Sequence, residues 1–485
     1  MKIMQKDKSL LLAPLALALT LGLTSPHPAA AASQTQRPNV LLIMVDDLGW
    51  PDVSTYGNHD VATPNIDRIA KQGVAFSNGH VAASVSAVSR AALLTGRYPQ
   101  RFGFIYNMTD GGNKNDGIPT SEPLLAERLK QLGYNTQAIG KWHAGRLPQF
   151  YPTNRGFDNF YGFLSGETIY VDPATPGIVT TLTQHEHFPL DQRPAGLEVV
   201  SGPDAQLVDN FKRYLTDDFT DRAVDYIDRQ SEQTSPFFMY LAYNAPHWPL
   251  QVPQHYYDRF SDIKDPVRRT YVAMINALDD NIGRVLQKLD ATGQRDNTLI
   301  VLLSDNGCPG HFGVCNCSDP LGAGKFTYLE GGTRVPFVMS WGDKLPPQGV
   351  VDTLVSSLDI VPTILQAAAP SQPLPEKLDG YDLLQTLKAG KRASDTLFFG
   401  QAPVYAVRQG DWKLYVSEDE KRQELYNLSA DRAELNDVAA AQPQRLKEMS
   451  DQLDSWKQTQ AKPLWPIHTV MHDVKQCNKA VEWVH

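Results

Sequence analysis

Cysteine is scarce in this sequence, with four residues among 485. Paired CxxC elements are missing, which argues against a structural zinc site. One or two disulfides are expected if the chain folds outside the cytoplasm, with free thiols as the alternative. Three of the four crowd one stretch and the last lies near the C-terminus, and their pairing is left open: Cys308, Cys315, Cys317 and Cys477.

An excess of positive charge is also missing. The 54 acidic residues outnumber the 45 basic ones, which gives a formal net charge of −9. This balance argues against a nucleic-acid partner, and any anionic substrate must be held by local cations. Beyond residue 32 no apolar run is long enough to span a membrane, so no membrane partner is expected. The sequence leaves the oligomeric state open.

The one long apolar run lies at the N-terminus. Lys2, Lys6 and Lys8 precede an apolar run at 10–23, and three alanines follow at 30–32. This pattern predicts a cleavable signal peptide over residues 1–32, and hence a periplasmic or secreted protein. An uncleaved N-terminal anchor is the alternative.

Apolar runs and helical patterns alternate along the rest of the chain. This alternation predicts an α/β fold with a large, mostly parallel sheet flanked by helices. Helical patterns run from Ser121, as the cap, to Gly133, from about 216 to 230, and from about 265 to 290. The stretch 164–205 has little periodicity and is predicted to form a long loop over a pocket. The predicted strands are 39–45, 135–140, 237–243 and 298–304.

A proline-rich stretch at 367–380 predicts a linker. Alternating strand patterns follow it, and then a helical pattern at about 442–460. We therefore expect a signal peptide at 1–32, a main domain at 37–370, and a smaller C-terminal α+β subdomain at 380–485 with an antiparallel sheet and a helix.

Polar residues follow each of the four predicted strands. If the strands are parallel neighbours, their carboxyl ends converge on one site. Asp46-Asp47 and Asp305-Asn306 follow two of them and offer only oxygen ligands, which suit Ca²⁺ or Mg²⁺. Ordinary capping of strand ends is the alternative for any one of these residues.

The other two strands are followed by histidines. His143 and His247 are candidate acid–base groups, although a single histidine is more often structural. Lys141 and Lys325 are candidates for holding an anion by charge, with a solvated surface lysine as the alternative. The turn from Glu330 to Arg334 is predicted to carry a structural ion pair.

The stretch SVSAVSRAALLTGR, residues 84–97, places Ser86 at the predicted start of a helix, four residues before Arg90. Unpaired N–H groups at a helix N-terminus stabilise anions. A nucleophile there, beside a divalent cation, would be activated by it. An ordinary loop serine is the alternative.

Eight motifs follow one another between residues 37 and 365: RPNVLLIMVDDLGW, TPNIDRIAKQGVAFSN, SRAALLTGRYPQR, GYNTQAIGKWHAG, NRGFDNFYGF, APHWPL, LSDNG and GGTRVP. They resemble, in order, the motifs of the formylglycine-type sulfatases in the alkaline phosphatase superfamily. The resemblance implies an alkaline-phosphatase-like fold and hydrolysis of sulfate esters.

The resemblance implies a role for each candidate residue. Ser86 aligns with the residue that becomes formylglycine, and Arg90 would steady it. His143 would bond a hydroxyl of the hydrated aldehyde, and His247 would be the acid toward the leaving alcohol. The sulfate would be contacted by Lys141, His247 and Lys325. A divalent cation, usually Ca²⁺ and less favourably Mg²⁺, would be bound by Asp46, Asp47, Asp305 and Asn306.

The modification signal departs from the family pattern. The family has Cys-x-Pro-x-Arg, or Ser-x-Pro/Ala-x-Arg in its serine form, whereas this chain has Ser86-Ala87-Val88-Ser89-Arg90. Three interpretations stay open. In the first, the protein is a sulfatase in which Ser86 is oxidised to formylglycine. In the second, Ser86 stays unmodified and acts directly, which suits a phosphatase or phosphodiesterase better, or a sulfatase mechanism in which water is activated otherwise. In the third, the protein is catalytically silent and binds sulfated sugars.

The resemblance also implies a class of substrate. An exported sulfatase of this length resembles the carbohydrate-active branch, so a sulfated polysaccharide or oligosaccharide is expected, such as an algal galactan of the carrageenan type. His185, His187 and Arg193 in the predicted loop, and Trp248 beside His247, are candidates for gripping a sugar. A small aryl sulfate is the alternative substrate.

Overall fold

Five parallel strands form the centre of a ten-stranded sheet in the computed structural model, which describes residues 37–57, 60–108, 115–183, 198–208, 213–317, 321–465, 470–477 and 479–484. The parallel centre has the order β11-β1-β9-β4-β5, with strands numbered along the chain, and the strand next to it on each side, β12 and β7, is antiparallel to it. In spatial order the strands are β13 (Gly349–Val351), β2 (Val74–Phe76), β12 (Phe337–Ser340), β11 (Thr298–Ser304), β1 (Asn39–Val45), β9 (Phe237–Ala242), β4 (Asn135–Lys141), β5 (Asn159–Phe163), β7 (Val200–Ser201) and β8 (Gln206–Leu207).

Strand β1 shows why the central strands are apolar at nearly every position. Leu42 and Met44 pack into the core on one face of the sheet, and Leu41 and Ile43 pack into the core on the other. A parallel sheet covered on both faces needs such continuous apolar runs. The four predicted strands and the predicted α/β fold class are confirmed.

Helices cover both faces of this sheet. The predicted helices at about 216–230 and 265–290 are confirmed. The helix predicted from Ser121 begins later, at Leu125, because the carboxylate of Glu127 accepts a hydrogen bond from the Leu124 backbone nitrogen (2.6 Å) and fixes the helix start there. Within the described residues the α-helices are α1 (Pro64–Lys71), α2 (Ser86–Thr95), α3 (Leu125–Gln131), α4 (Leu215–Gln230), α5 (Gln254–Tyr257), α6 (Pro266–Ala291), α7 (Glu330–Thr333), α8 (Ile360–Ala368), α9 (Leu383–Ala389) and α10 (Pro443–Lys457).

The stretch 164–205 is not one continuous loop, contrary to the sequence prediction. Strand β6 (Ile178–Thr181) pairs antiparallel with β10 (Leu250–Pro253), and β7 joins the edge of the large sheet. Backbone pairing therefore holds parts of a stretch that has no periodic apolar pattern. Residues 184–197, with His185, His187 and Arg193, lie outside the described residues, as does the predicted signal peptide. In the described parts of the chain, no helix is long and apolar enough to cross a membrane.

The C-terminal strands form a separate four-stranded antiparallel sheet, in which neighbours in the chain are neighbours in space. Helix α10 covers it through Met449, Leu453 and Trp456. This sheet and helix follow the sequence prediction, whereas the hairpin β19–β20 was not predicted; the domain boundaries themselves stay predictions. The four strands of the sheet are β15 (Thr396–Gln401), β16 (Val404–Gln409), β17 (Trp412–Ser417) and β18 (Arg422–Asn427), and the separate hairpin consists of β19 (Val470–Gln476) and β20 (Lys479–Val484).

A buried charge cluster joins this small sheet to α7. The Glu330 carboxylate lies 3.5 Å from Arg334, 3.2 Å from Arg408 and 3.0 Å from Lys413. Burial would raise the pKa of Glu330, but the surrounding cations outweigh it and hold the pKa well below its usual range. The predicted ion pair between Glu330 and Arg334 is confirmed, and it extends to strands β16 and β17.

All four cysteines are paired in disulfides. Cys308 bonds Cys315, and Cys317 bonds Cys477. The first closes a short loop that starts just beyond Asp305 and Asn306, the candidate metal ligands that follow β11. The second ties the hairpin β19–β20 to the same loop, so the expectation of disulfides is confirmed.

Candidate active site

The carboxyl ends of β1, β11, β9 and β4 bring the predicted polar residues together. The Asp47 backbone nitrogen donates to Asp305 Oδ1 (3.2 Å), and Asn306 Nδ2 donates to Asp47 Oδ1 (2.7 Å). These bonds cross from the loop after β1 to the loop after β11. Asp47 has a positive φ of 64°, which turns the chain sharply at the strand end. The strand order therefore builds one oxygen-rich cluster.

Ser86, the first residue of α2, lies in the middle of this cluster. Its Oγ donates to Asp305 Oδ2 (2.6 Å) and lies 3.2 Å from Asp46 Oδ1. It also accepts from Lys141 Nζ (3.2 Å). The residue is buried at the N-terminus of a ten-residue helix, where the helix dipole favours negative charge. This environment would polarise the side-chain oxygen at position 86.

Arg90 follows Ser86 by one helical turn and points at the same carboxylates. Its Nη2 lies 3.0 Å from Asp305 Oδ2 and 3.6 Å from Asp46 Oδ2. Its Nη1 donates to the Lys141 carbonyl and to the Tyr240 hydroxyl, both at 3.3 Å. Because the guanidinium is fully buried and held on both sides, it fixes the carboxylates on either side of Ser86.

Two buried lysines complete the charge pattern. Lys141 Nζ lies 2.6 Å from Asp46 Oδ2, and Lys325 Nζ lies 2.6 Å from Asp47 Oδ1. Burial, opposed by Asp46 and reinforced by Arg90, lowers the pKa of Lys141. Burial would also lower the pKa of Lys325, but Asp47 and the other two aspartates outweigh it and raise the pKa. Both are sequestered lysines and not solvated surface ones.

The two candidate histidines differ in their contacts. His247 Nδ1 lies 2.5 Å from the Trp248 carbonyl, and its Nε2 lies 3.7 Å from Asp47 Oδ2. Because a carbonyl only accepts, the hydrogen of the neutral ring sits on Nδ1 and Nε2 faces the cluster. A protonated His247 would therefore present its second N–H toward the site.

His143 lies beside the cluster but makes no hydrogen bond to Ser86 in the described structure. Its ring packs against Gly166, where a Cβ would come within 2.9 Å of the ring. Burial, and then the charges of Lys141, Arg90 and Lys325, hold the pKa of His143 well below its usual value. The imidazole is thus kept neutral, and its predicted bond to a hydroxyl at position 86 stays a prediction.

The cluster fits a divalent cation. Asp47 Oδ2 is buried without a hydrogen-bond partner among the described residues. Asn306 turns its Oδ1 toward Ser86, 3.4 Å from Oγ, while its Nδ2 donates to Asp47 Oδ1 and to the Gly307 carbonyl. The donors facing inward are therefore oxygens, the ligands that Ca²⁺ and Mg²⁺ take. Asp46, Asp47 and His247 also each offer a ligand atom within 4.8 Å of one another, but an imidazole suits a transition metal better.

Several residues around the site were not predicted from the sequence. The Tyr271 hydroxyl donates to the Asp47 carbonyl (2.7 Å), and Asn107 Oδ1 accepts from the Ala87 backbone nitrogen (3.1 Å). Tyr240, which holds Arg90, lies in the middle of an apolar strand. A tyrosine within an otherwise apolar predicted strand is the sequence signal that could have identified Tyr240, because its buried hydroxyl needs a hydrogen-bond partner.

Val88, the residue that breaks the modification signal, lies away from the polar cluster. Its side chain is fully buried in the apolar core. The departure from the family pattern thus leaves the polar contacts of Ser86 and Arg90 in place.

Trp248 lies at the mouth of the site, next to His247. Its ring stacks on Phe312 at 6.3 Å, and its side chain stays partly exposed. Phe312 belongs to the loop closed by the Cys308–Cys315 disulfide. An aromatic face beside a group of buried cations suits an anionic substrate that also has apolar faces.

Family models and curated relatives that match this chain are sulfatases. A family model described as Sulfatase matches residues 38–370, and one described as N-sulphoglucosamine sulphohydrolase, C-terminal, matches residues 324–460. N-acetylgalactosamine-6-sulfatase from Mus musculus is 32% identical to this chain, and the match covers 80% of this chain and 73% of the mouse protein. The uncharacterized sulfatase YdeN from Escherichia coli (strain K12) is 30% identical, and the match covers 89% of this chain and 87% of YdeN.

Solved structures share the fold. The crystal structure of Ps i-CgsB in complex with k-i-k-neocarrahexaose is 34% identical to this chain, with a TM-score of 0.80. The match covers 89% of this chain and 95% of that one. The similarity thus spans both the large sheet and the C-terminal elements.

Proposed function

Because the chain belongs to the sulfatase family and is thus a sulfuric ester hydrolase of the alkaline-phosphatase-like fold, we propose that its substrate is a sulfated polysaccharide or oligosaccharide of the galactan type, such as carrageenan. Two observations support this class of substrate. Ps i-CgsB, the similar solved structure, was crystallised with a neocarrahexaose. Trp248, the residue after His247, also offers a partly exposed aromatic side chain.

The observation that carries the proposal is the placement of Ser86. Its Oγ lies between the carboxylate of Asp305 (2.6 Å) and the ammonium group of Lys141 (3.2 Å) at the start of α2. The side-chain oxygen of Ser86 is therefore buried between fixed charges of opposite sign. Preorganised charges of this kind stabilise a developing anion much better than water does.

The surrounding residues have different roles in cleavage of the ester. Lys141 and Lys325 bind the sulfate oxygens by charge, and Arg90 keeps the side chain at position 86 aligned with them. His247, protonated at Nε2, donates a proton to the alcohol oxygen as the ester bond breaks. The Trp248 carbonyl, 2.5 Å from Nδ1, holds the ring in this orientation.

Two further groups belong to this proposal. Asp46, Asp47, Asp305 and Asn306 would hold a Ca²⁺ ion, which when bound supplies positive charge opposite the sulfate oxygens. Formylglycine at position 86 would provide the nucleophile in its hydrated form. The contacts of Ser86 also suit a hydroxyl that reacts unmodified, which keeps direct action on phosphate esters as the second candidate function.

Export is part of the proposal as well. Large sulfated polysaccharides are met outside the cytoplasm, and the pairing of all four cysteines is consistent with an oxidising compartment. We expect the N-terminal sequence of the protein purified from its own organism to begin near residue 33. A start at residue 1 would contradict cleavage of a signal peptide.

The test is hydrolysis of matched esters by protein purified from its own organism. We expect sulfate release from sulfated galactan oligosaccharides, and loss of this activity in Ser86→Ala. Higher activity on a phosphate ester than on every sulfate ester would favour the second function. Peptide mass spectrometry across residue 86 separates the two chemistries, because formylglycine is lighter than serine by two hydrogens.

A further inference from the structure

The hairpin β19–β20 packs against the loop that carries Lys325. Cys477, at the tip of the hairpin, is bonded to Cys317 across 160 residues of sequence. The Trp483 ring meets Phe326 edge to face at 4.6 Å, and it meets His311 at 4.5 Å. The end of the chain is therefore covalently and sterically attached to the edge of the active site.

Gln476, the last residue of β19, is inserted between two loops of the site. Its side chain is fully buried. A Cβ at Gly310 would lie 3.1 Å from Gln476 Oε1, and a Cβ at Gly324 would lie 3.0 Å from the same atom. Both loops thus approach the Gln476 amide through a glycine, so they meet this side chain as closely as backbone permits.

Two side chains of the hairpin hold the backbone of Lys325. Gln476 Nε2 donates to the Lys325 carbonyl at 3.2 Å, and Trp483 Nε1 donates to the same oxygen at 3.3 Å. The Lys325 nitrogen in turn donates to the Cys308 carbonyl at 2.9 Å. Both polar backbone groups of this lysine are therefore fixed from outside its own loop.

The loop needs this support because its backbone is strained. Ala323 and Phe326 flank Lys325 with positive φ angles of 58° and 71°. Non-glycine residues in this region each cost on the order of 1 kcal/mol and persist only when their surroundings hold them. Trp483 packs against one of these two residues, Phe326.

We propose that Gln476 and Trp483 are positioning residues that hold Lys325 in place for sulfate. The inference rests on the proposed function, in which the Lys325 ammonium group binds the sulfate oxygens. Because the four-carbon stem of lysine is flexible, a fixed backbone is needed to limit the positions that the ammonium group, 2.6 Å from Asp47 Oδ1, can take. The C-terminal hairpin is thereby a component of the active site, although neither residue touches the reacting atoms.

The test uses variants that remove one donor each and preserve shape. Gln476→Met keeps an unbranched side chain without the amide, and Trp483→Phe keeps an aromatic ring without the N–H. Tyr415→Phe is the matched control, because it removes the bond from Tyr415 to Glu482 (2.8 Å) that anchors the same hairpin elsewhere. The readouts are kcat and KM on a sulfate ester, inhibition by inorganic sulfate, thermal stability, and hydrogen–deuterium exchange of residues 321–329.

We expect Gln476→Met to lower kcat/KM about tenfold, to weaken inhibition by sulfate by a similar factor and to speed exchange in 321–329. Trp483→Phe should do the same to a smaller extent, and Tyr415→Phe should change none of the three. Unchanged exchange in Gln476→Met, or equal losses in all three variants, would overturn the inference.

The proposed function is tested separately by the wild-type protein. If the wild type cleaves no sulfate ester, the proposed function fails. Exchange in 321–329 and the binding of inorganic sulfate, measured by calorimetry, still decide whether the hairpin positions Lys325.

Discussion

At the scale of single residues, the site is defined by charge balance. Six buried ionic groups meet around Ser86, three of each sign, so that their formal charges cancel. A divalent cation would raise this sum to about +2. With that cation bound, the site would be locally positive in a protein whose net charge is −9, and this local charge would favour binding of a sulfate group. The six groups are Asp46, Asp47, Asp305, Arg90, Lys141 and Lys325.

His247→Ala tests the assignment of the acid. A sugar alkoxide is a poor leaving group and needs a proton, whereas nitrophenolate does not. We expect a loss of roughly 10²- to 10⁴-fold in kcat on a sulfated sugar and a loss below about tenfold on nitrophenyl sulfate. Steady-state kinetics on the two substrates measure the ratio.

The control for this prediction is His255→Ala. His255 is exposed on α5, away from the cluster, and its replacement should leave both rates unchanged. Equal losses on the sugar sulfate and on nitrophenyl sulfate in His247→Ala would contradict its role as the acid.

At the scale of elements, the sequence predicts those strands and helices whose burial leaves a regular apolar pattern. The central strands are apolar throughout because both faces of the sheet are covered, and this makes the convergence of Asp46, Lys141 and Asp305 predictable. Strand β6 has only four residues, and β19 and β20 mix polar and apolar residues without strict alternation, so no periodic signal marks them. Gln476 could not be found for the same reason, since its role depends on a contact 151 residues away in sequence.

The start of helix α3 was also predicted wrongly, because the sequence offers more than one capping residue there. Ser121 has the residue type of a helix cap, but the helix begins where Glu127 reaches back to Leu124. Side chains with similar capping preferences compete within a few residues, and the choice depends on packing. Boundaries of elements are therefore less predictable than their existence.

Asp279 connects α6 to the start of α1 and predicts a pH dependence of stability. Its carboxylate accepts from the Ile66 nitrogen (2.8 Å) and from Asn65 Nδ2 (2.9 Å). Burial raises its pKa to about 6. Because the folded state holds this proton more tightly than the unfolded state, the contribution of Asp279 to stability falls as pH rises from about 4 to 6.

Asp279→Asn removes this titration. Asn65 can turn its amide to present oxygen to the new side chain, so the variant keeps the connection. We expect the unfolding free energy of the variant, relative to wild type, to rise by about 2 kcal/mol between pH 4.5 and pH 7.5. Urea unfolding at both pH values measures it, and a difference that does not change with pH would contradict the assignment.

At the scale of the whole molecule, the candidate metal site joins parts of the chain that are far apart in sequence. Asp47 and Asp305 are separated by 258 residues, and they meet only when β1 and β11 pair. The unfolded chain does not assemble these ligands, so a bound ion stabilises the folded state alone. Calcium should therefore act on the stability of the protein as well as on its activity.

Removal of calcium tests this expectation. A ligand present at 100 times its Kd stabilises the folded state by about 2.7 kcal/mol, so chelation with EGTA should lower Tm by several degrees, and Ca²⁺ should restore it more effectively than Mg²⁺. Asp305→Asn weakens the site, and its Tm should respond much less to either treatment. A Tm of the wild type that is independent of calcium at every concentration would show that Asp46, Asp47, Asp305 and Asn306 hold no such ion, and that the charge balance around Ser86 is set by the protein alone.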